Sequence, residues 1–245
     1  MRRTGAFLFA LTLTALSTSF LYAQEQFAVV AQQTEVGIDW QARTEDATIK
    51  ARVASVVSNM TDAELAGAVL MPSFEKGMKA ETFGKLLCDI RARSYIILRS
   101  DTSKALTQSI QKAYAKSCPK TGVKLIAALD AEPSLMKYRM PSIKMPHTIT
   151  LTSTQSASDA GKTIADALRD AGIYLNFAPV YDTGSNTEVI GDRSFGTFET
   201  DPMLRANAFA RASWNAGVIP TAKHFPGHGQ VKGDSHVQPV WTSGE

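Results

Sequence analysis

Residues 218–229 read VIPTAKHFPGHG, an apolar stretch that runs directly into a lysine, two histidines and a turn rich in glycine and proline. The apolar part is typical of a buried strand, and a segment with helical periodicity, residues 202–216, precedes it. Residues 124–129, which read KLIAAL, show the same pattern and end at Asp130. Helices that alternate with strands ending in polar residues are therefore the organising pattern of this chain.

The spacing of these strands predicts an α/β fold with a parallel sheet. Strands are predicted at residues 67–71, 95–98, 124–129, 175–180 and 218–222, and helices at 49–60, 102–116, 155–171 and 202–216. Polar residues follow several strand ends, where both (β/α)8 barrels and open doubly wound sheets keep their active sites. The pattern leaves these two architectures open. The first strand lacks a glycine-rich phosphate loop, which disfavours a nucleotide-binding sheet.

The N-terminus predicts export. Residues 1–23 combine a short basic start, an apolar run and a small residue, Ala23, and are interpreted as a cleaved signal peptide. The alternative, a membrane anchor, needs a longer run with fewer threonines and serines. Residues 24–45 are then a polar arm or linker, and residues 46–245 form the folded part. Two cysteines, Cys88 and Cys118, either form a disulfide in the oxidising compartment or remain buried free thiols.

Composition narrows the choice of partners. The 245 residues have 44% hydrophobic and 20% charged side chains, as ordinary globular proteins do. The formal net charge is +3 and falls to +1 without Arg2 and Arg3. A nearly neutral mature chain gives no electrostatic reason to expect nucleic acid or an anionic membrane as partner. We predict neither, and no stable membrane insertion once the signal is removed.

Three of the four histidines lie within thirteen residues, at His224, His228 and His236. The spacing of the first two is found in helical zinc sites, but the intervening proline and glycine disfavour a helix, and we predict no metal and no cofactor. Asp234 stands two residues before His236 in a loop containing glycine. A carboxylate bonded to one ring nitrogen orients an imidazole and leaves the other nitrogen for proton transfer, which indicates acid–base catalysis.

Four motifs carry a resemblance to a known family. They are KHFPGHG at 223–229, DSH at 234–236, LNFAPV at 175–180 and IGDRSFG at 190–196. In order and spacing the chain resembles glycoside hydrolase family 3, specifically its bacterial β-N-acetylglucosaminidases. The resemblance implies a (β/α)8 barrel that removes terminal β-linked N-acetylglucosamine with retention. It makes His236 the proton donor, supported by Asp234, and the substrate a saccharide of the cell-wall or chitin type.

The resemblance also implies a set of sugar-binding residues. Lys223, His224 and Arg193 would hold hydroxyls and the acetamido region, and Asp130 would bind hydroxyls far from the scissile bond. Charged side chains at strand ends suit the many hydroxyls of a sugar. Two structural alternatives stay open: Arg193 as part of a turn with Asp192, and Asp130 as a helix N-cap.

The chain departs from the family in two places. After the third strand the family usually has a glycine pair and an arginine that reaches the sugar, whereas residues 130–139 read DAEPSLMKYR, with Lys137 or Arg139 as possible substitutes. The family's nucleophilic aspartate lies downstream of the Asp-Ser-His loop, and no residue here aligns with it. About five of eight strands are predicted. We therefore expect an incomplete barrel, a fragment that is itself inactive.

Three other interpretations remain. The chain is alternatively a non-catalytic carbohydrate-binding pseudoenzyme, a barrel completed by another chain, or, least favoured, a metal-dependent hydrolase.

Overall fold

The structure, a computed structural model, describes residues 46–98, 101–119, 124–183, 188–197 and 201–241. The predicted signal peptide and the predicted arm at 24–45 lie outside these residues. From Ala51 onward the chain forms one compact unit.

Five parallel strands form one sheet in which the spatial order follows the sequence. The strands are β1 (Ser73–Phe74), β2 (Ser94–Ile97), β3 (Ile126–Leu129), β4 (Leu175–Asn176) and β5 (Ile219–Pro220). The α-helices in the described ranges are α1 (Ala47–Ser58), α2 (Asp62–Ala68), α3 (Ala80–Asp89), α4 (Lys104–Ser117), α5 (Met136–Arg139), α6 (Thr154–Asp170) and α7 (Pro202–Asn215). A parallel sheet with helical crossovers confirms the predicted α/β class, and its open form agrees with an incomplete barrel.

The first predicted strand is wrong. Gly67 and Ala68 belong to α2, and β1 begins only at Ser73. The helix starts at a capping box in which Thr61 and Glu64 bond each other's backbone N–H groups. A Cβ added at Gly67 would lie 2.5 Å from the carbonyl oxygens of Ile90 and Arg91. The helix therefore passes closely over the end of α3, and glycine there serves packing rather than a strand.

The core lies between the sheet and its helices. Phe74, Ile97 and Leu129 lie on one face of the sheet and are at most 3% exposed. The Phe83 ring of α3 packs edge-on against Phe74 and Tyr95, with centroids 5.3 and 5.8 Å away. Each such apolar side chain contributes about 2 kcal/mol to folding when buried. This layer of apolar side chains holds the strands in place, and the polar residues follow the ends of these strands.

The opposite face of the sheet is open. Ile126 and Ile219 are 49% and 46% exposed, and the strand register places them on the face away from the helices. In a (β/α)8 barrel this face points into the barrel interior. The open face is thus apolar, as the interior of a barrel is.

Cys88 and Cys118 form a disulfide that joins the ends of α3 and α4, so the free-thiol alternative is wrong. Bridging residues 30 positions apart stabilises a fold by about 2–4 kcal/mol. Across the described part of the chain, none of the helices has the length and apolar character needed to span a bilayer.

Candidate active site

The polar residues at the strand ends are brought together by continued parallel pairing beyond β4 and β5. Val180 forms a bridge with Lys223, and the Tyr181 N–H donates to the Lys223 carbonyl at 2.7 Å. Asp182 and Lys223 therefore lie side by side at the carboxyl edge of the sheet. Asp130, directly after β3, reaches the same edge. This is the face on which parallel α/β folds keep their sites.

A buried carboxylate, Glu132, lies at the centre of this edge with its side chain only 1% exposed. The Nε and Nη2 atoms of Arg193 each donate to one of its oxygens at 2.8 Å. The Lys223 Nζ lies 2.5 Å from Oε1 of the same carboxylate. Hydrogen bonds to Glu132 raise the pKa of Arg193. Burial alone would lower this pKa, but the negative charge of Glu132 raises it further. One carboxylate therefore holds two cations in place.

Lys223 also bonds Asp130, with Nζ 2.9 Å from Oδ1. We call Asp130, Glu132, Arg193 and Lys223 the charge cluster. The alternative that Asp130 caps a helix is wrong, because the turn that follows, Pro133–Leu135, has Glu132 at its N-cap position and Asp130 is bonded to Lys223.

A second arginine lies beside the charge cluster. Of the two substitutes considered for the family's arginine, Arg139 has its Nη2 3.9 Å from Oδ2 of Asp130, whereas the Lys137 ammonium lies over the Tyr138 ring. Arg139 Nε is buried without a hydrogen-bond partner among the described residues. Arg139 is therefore the better placed of the two.

The loop that carries Asp130 and Glu132 is anchored from β4. Asn176 is fully buried, and its side-chain amide bonds both the N–H and the carbonyl of Ala131, at 2.9 and 3.2 Å. Because Ala131 lies between the two acidic residues, this pair of hydrogen bonds fixes the direction of both side chains. The proline at 133 turns the chain into a helical turn rather than a glycine loop.

Arg193 ends a short helical turn, Gly191–Arg193, as the structural alternative predicted. The turn is fastened to its surroundings: the Ser134 hydroxyl donates to the Asp192 carbonyl at 2.8 Å, and His147 bonds the Asp192 carboxylate. The Arg193 Nη1 also donates to the Val189 carbonyl at 2.9 Å. The turn and the ion pair occur together, and the sugar-binding role of Arg193 stays a prediction.

A second carboxylate, Asp182, organises the histidines. Its side chain is 1% exposed and accepts hydrogen bonds from the His224 ring Nδ1 at 2.5 Å and from the backbone N–H groups of His224 and His228 at 3.1 and 2.5 Å. Burial raises the pKa of Asp182, but these hydrogen bonds and the His224 ring outweigh burial and hold the pKa below its usual value. Asp182 thus fixes both the backbone and the ring of His224.

Asp234 and His236 form the predicted pair. Asp234 Oδ1 accepts from the backbone N–H of His236 at 2.8 Å and from its ring Nδ1 at 2.6 Å. Both hydrogen bonds lower the pKa of Asp234, and the one from the His236 backbone has the larger effect. Asp234 is a carboxylate at neutral pH. The His236 side chain is 76% exposed. The pair is therefore a local feature of the surface.

His228 connects the two parts of this region. Its Nε2 lies 2.9 Å from the Ser235 hydroxyl, and its ring centroid is 6.4 Å from that of His224. Within the described ranges, no group of three or more His, Cys, Asp or Glu side chains is arranged to hold a metal ion. The four-residue spacing of His224 and His228 thus comes from a loop built around Asp182.

The structure brings Asp130, Arg193 and Lys223 into one cluster. His224 lies next to this cluster because it directly follows Lys223 in the chain. Asp234 and His236 lie together on the loop, and no hydrogen bond among the described residues links them to the cluster. An open cavity of about 520 Å³ lies beside Lys223 and His224.

Two features of the site were not predicted from the sequence: Glu132, and the role of Asp182 in holding His224. Glu132 had one available signal, since it follows Asp130 by two residues in the same strand-end turn. Asp182 had the same kind of signal, a carboxylate just beyond a predicted strand.

Comparison with known proteins supplies independent findings. Residues 71–245 match the family model described as the glycosyl hydrolase family 3 N terminal domain. A β-hexosaminidase from Tolumonas auensis is 39% identical over 100 residues, which cover 41% of this chain and 30% of that protein. Three curated β-hexosaminidases are matched over 24–30% of their own length.

Solved structures agree with this match. A family 3 β-N-acetylglucosaminidase from Paenibacillus sp. FPU-7 has a TM-score of 0.62 and 27% identity, covering 72% of this chain and 35% of that one. NagZ from Neisseria gonorrhoeae, in complex with N-trifluoroacetyl-D-glucosamine, has a TM-score of 0.58 and 26% identity, covering 70% and 53%. These likenesses confirm the predicted barrel-type fold, and the described residues contribute five parallel strands to it.

Proposed function

Because the chain belongs to glycoside hydrolase family 3 through its N-terminal domain, we propose that it provides the sugar-binding and proton-donating part of an exported β-N-acetylhexosaminidase. Its substrate would carry a terminal β-linked N-acetylglucosamine, of the cell-wall or chitin type, and the reaction would serve peptidoglycan turnover. The observation that carries the proposal is the hydrogen bond between His236 Nδ1 and Asp234, which stands in a domain matched to this family.

Sugar binding is assigned to the charge cluster together with His224. In the described residues, Arg193 uses three of its five N–H donors and Lys223 uses two of its three. The remaining donors, and Asp130 as acceptor, suit a ligand that has many hydroxyls and no charge. Of the assigned residues, Lys223 and His224 line a cavity of about 520 Å³, which is large enough for a monosaccharide unit. Arg139, beside Asp130, adds further donors.

Proton transfer is assigned to His236. Since Asp234 accepts the Nδ1–H, the Nε2 atom of the ring is left to give a proton to the leaving oxygen and later to take one from water. The negative Asp234 stabilises the imidazolium form, which is present before the first of these steps and is restored by the second. Retention of configuration also needs a carboxylate nucleophile. We assign that role to none of the described carboxylates.

A second candidate function is non-catalytic carbohydrate binding. The observation that favours it is the contrast in burial: the cluster side chains are 1–21% exposed, whereas His236 is 76% exposed and is bonded to Asp234 in its own loop. A protein that had lost catalysis but kept sugar recognition would retain such a cluster.

Export is proposed from two features. The pattern of residues 1–23 suits a signal peptide, and the Cys88–Cys118 disulfide suits an oxidising compartment. Expression with the native N-terminus in a Gram-negative host, followed by N-terminal sequencing of the periplasmic fraction, should give a mature chain that starts near Gln24. An uncleaved chain in the cytoplasm would contradict export.

The catalytic proposal is tested with a chromogenic N-acetylglucosaminide. The chain is assayed alone and within the full open reading frame that encodes it, each as wild type and as His236→Ala. We expect the variant to lose about 10²- to 10⁴-fold in turnover, as removal of a general acid does. Lys85→Ala is the matched control, because Lys85 is also an exposed side chain paired with an aspartate, Asp89. In the full open reading frame, equal turnover of the wild type and His236→Ala would refute the assigned role, and sugar binding without turnover in any form would favour the second candidate.

A further inference from the structure

Glu132 is a buried acid whose burial is not accounted for by stability alone. It lies 1% exposed with both carboxylate oxygens bonded to cations, one of them to two cations at once. Removing charges from water costs several kcal/mol per ion, and apolar side chains of the same volume often give equal or greater stability. A role in fixing the geometry of its partners is therefore the better explanation.

The partners it fixes are the two predicted sugar-binding cations. Arg193 presents one edge of its guanidinium to Glu132, so its remaining N–H groups are directed elsewhere. Lys223 has a long flexible stem, and contact with two carboxylates, Glu132 and Asp130, restricts its ammonium group to one position. Both cations would otherwise pay conformational entropy on binding a ligand.

Glu132 also affects the acceptor. Three cations lie close to this edge of the sheet: Lys223, Arg193 and Arg139. Asp130 Oδ1 is bonded to Lys223, but Oδ2 has only Arg139 near it, at 3.9 Å, and no hydrogen bond among the described residues. Without the negative charge of Glu132, Arg193 would be drawn to Asp130, and Lys223 would no longer be confined to the Oδ1 atom of Asp130. Its second oxygen would then be occupied by the protein.

We propose that Glu132 is a positioning residue for saccharide binding: it holds Arg193 away from Asp130 and confines Lys223 to Oδ1 of Asp130, and so keeps Oδ2 available to a sugar hydroxyl. Glu132 itself does not contact the sugar. This inference rests on the proposed sugar-binding function of the cluster and adds the residue on which its geometry depends.

The test measures binding of N-trifluoroacetyl-D-glucosamine to the full chain by ¹⁹F NMR. Glu132→Gln keeps the size of the side chain and removes its charge. We expect about 10- to 100-fold weaker binding, the loss that follows from charged hydrogen bonds of this kind. Glu81→Gln is the matched control, since Glu81 forms an ion pair with Lys116 at 3.1 Å on the exposed surface; its affinity should equal that of the wild type. Equal affinities for all three proteins would overturn the inference alone.

A double-variant cycle separates positioning from general structural damage. Because Glu132 acts through Arg193 as well as Lys223, Glu132→Gln should weaken binding by a smaller factor in the Arg193→Met background than in the wild type. The same factor in both backgrounds would overturn the positioning role. A wild-type chain that fails to bind the sugar would overturn the proposed function and this inference with it. That result differs from equal and measurable affinities in the wild type and Glu132→Gln, which would overturn the inference alone.

A third measurement needs no change at Glu132. In the wild type, the Arg193 Nε–H signal, assigned by its absence in Arg193→Lys, should exchange slowly with water because it is held by a buried carboxylate. Rapid exchange of that proton would overturn the inference even if Glu132→Gln does not fold.

Discussion

The charge cluster and the Asp234–His236 pair are built in opposite ways. The cluster gathers residues from the turns after β3, after β5 and around residue 193, and its four side chains are 1–21% exposed. The pair joins two residues that are two positions apart, and its side chains are 39% and 76% exposed. The cluster proposed to bind sugar thus depends on the packing of the whole sheet, whereas the pair proposed to transfer protons is set by a local turn.

This difference has energetic consequences. A buried cation that loses its partner is costly, because its charge stays out of water without compensation. An exposed ion pair contributes little, because water and salt screen it. Substitutions in the cluster should therefore change both folding and binding, while substitutions in the pair should change chemistry alone.

The largest effect is expected for Lys223→Met, which leaves Asp130 and Glu132 with one cation fewer. We expect the free energy of unfolding to fall by about 3–5 kcal/mol, measured by urea denaturation. The matched control is Lys104→Met, because Lys104 pairs with Asp170 at 3.0 Å with side chains 57% and 74% exposed. Its loss should be about 0–1 kcal/mol. Equal losses would show that the cluster is not the buried structural unit described above.

A smaller effect with a defined pH dependence is expected for Asp182→Asn. At pH 7 the loss should be about 1–3 kcal/mol, since hydrogen bonds to a buried carboxylate are weakened. The folded-state pKa of Asp182 is lowered, so the stability that it contributes is present above its unfolded pKa of about 3.9 and is lost as the pH falls through the folded value.

The difference in stability between wild type and Asp182→Asn should therefore shrink as the pH falls below about 4. Denaturation at a series of pH values measures it. Asp166→Asn serves as the control, because Asp166 forms an exposed pair with Lys162 on α6. A difference that stays constant with pH would argue against a charged, hydrogen-bonded Asp182.

The smallest effect on folding is expected for Asp234→Asn. The unfolding midpoint should not change, because the pair is exposed. The ring of His236 should respond instead: ¹⁵N NMR should show the Nδ1-protonated form in the wild type and a mixture of tautomers in the variant. A His236 ring that is unaffected by the substitution would show that Asp234 does not orient it.

The two regions also differ in how far the sequence predicts them. The Asp234–His236 pair was predicted because its partners are neighbours in sequence. The helices α4, α6 and α7 were predicted to within two residues because their apolar periodicity and turn signals are local. The α/β class followed from the alternation of such segments.

The missed features depend on distant packing. Glu132 was passed over because its partners, Arg193 and Lys223, lie 61 and 91 residues away. The first strand was misplaced because an apolar run of five residues fits a strand or a short helix equally well, and the contact of Gly67 with the end of α3 decides for the helix. The disulfide was left open for the same reason, since two cysteines 30 positions apart do not reveal their distance.

Calorimetric titration of N-acetylglucosamine into the 245-residue chain tests most directly whether binding and proton transfer are separate. We predict that the wild type and His236→Ala bind the sugar with the same affinity, whereas Lys223→Met, in conditions where it is folded, does not bind. Loss of binding in His236→Ala with normal binding in Lys223→Met would contradict the assignment of sugar recognition to the buried cluster.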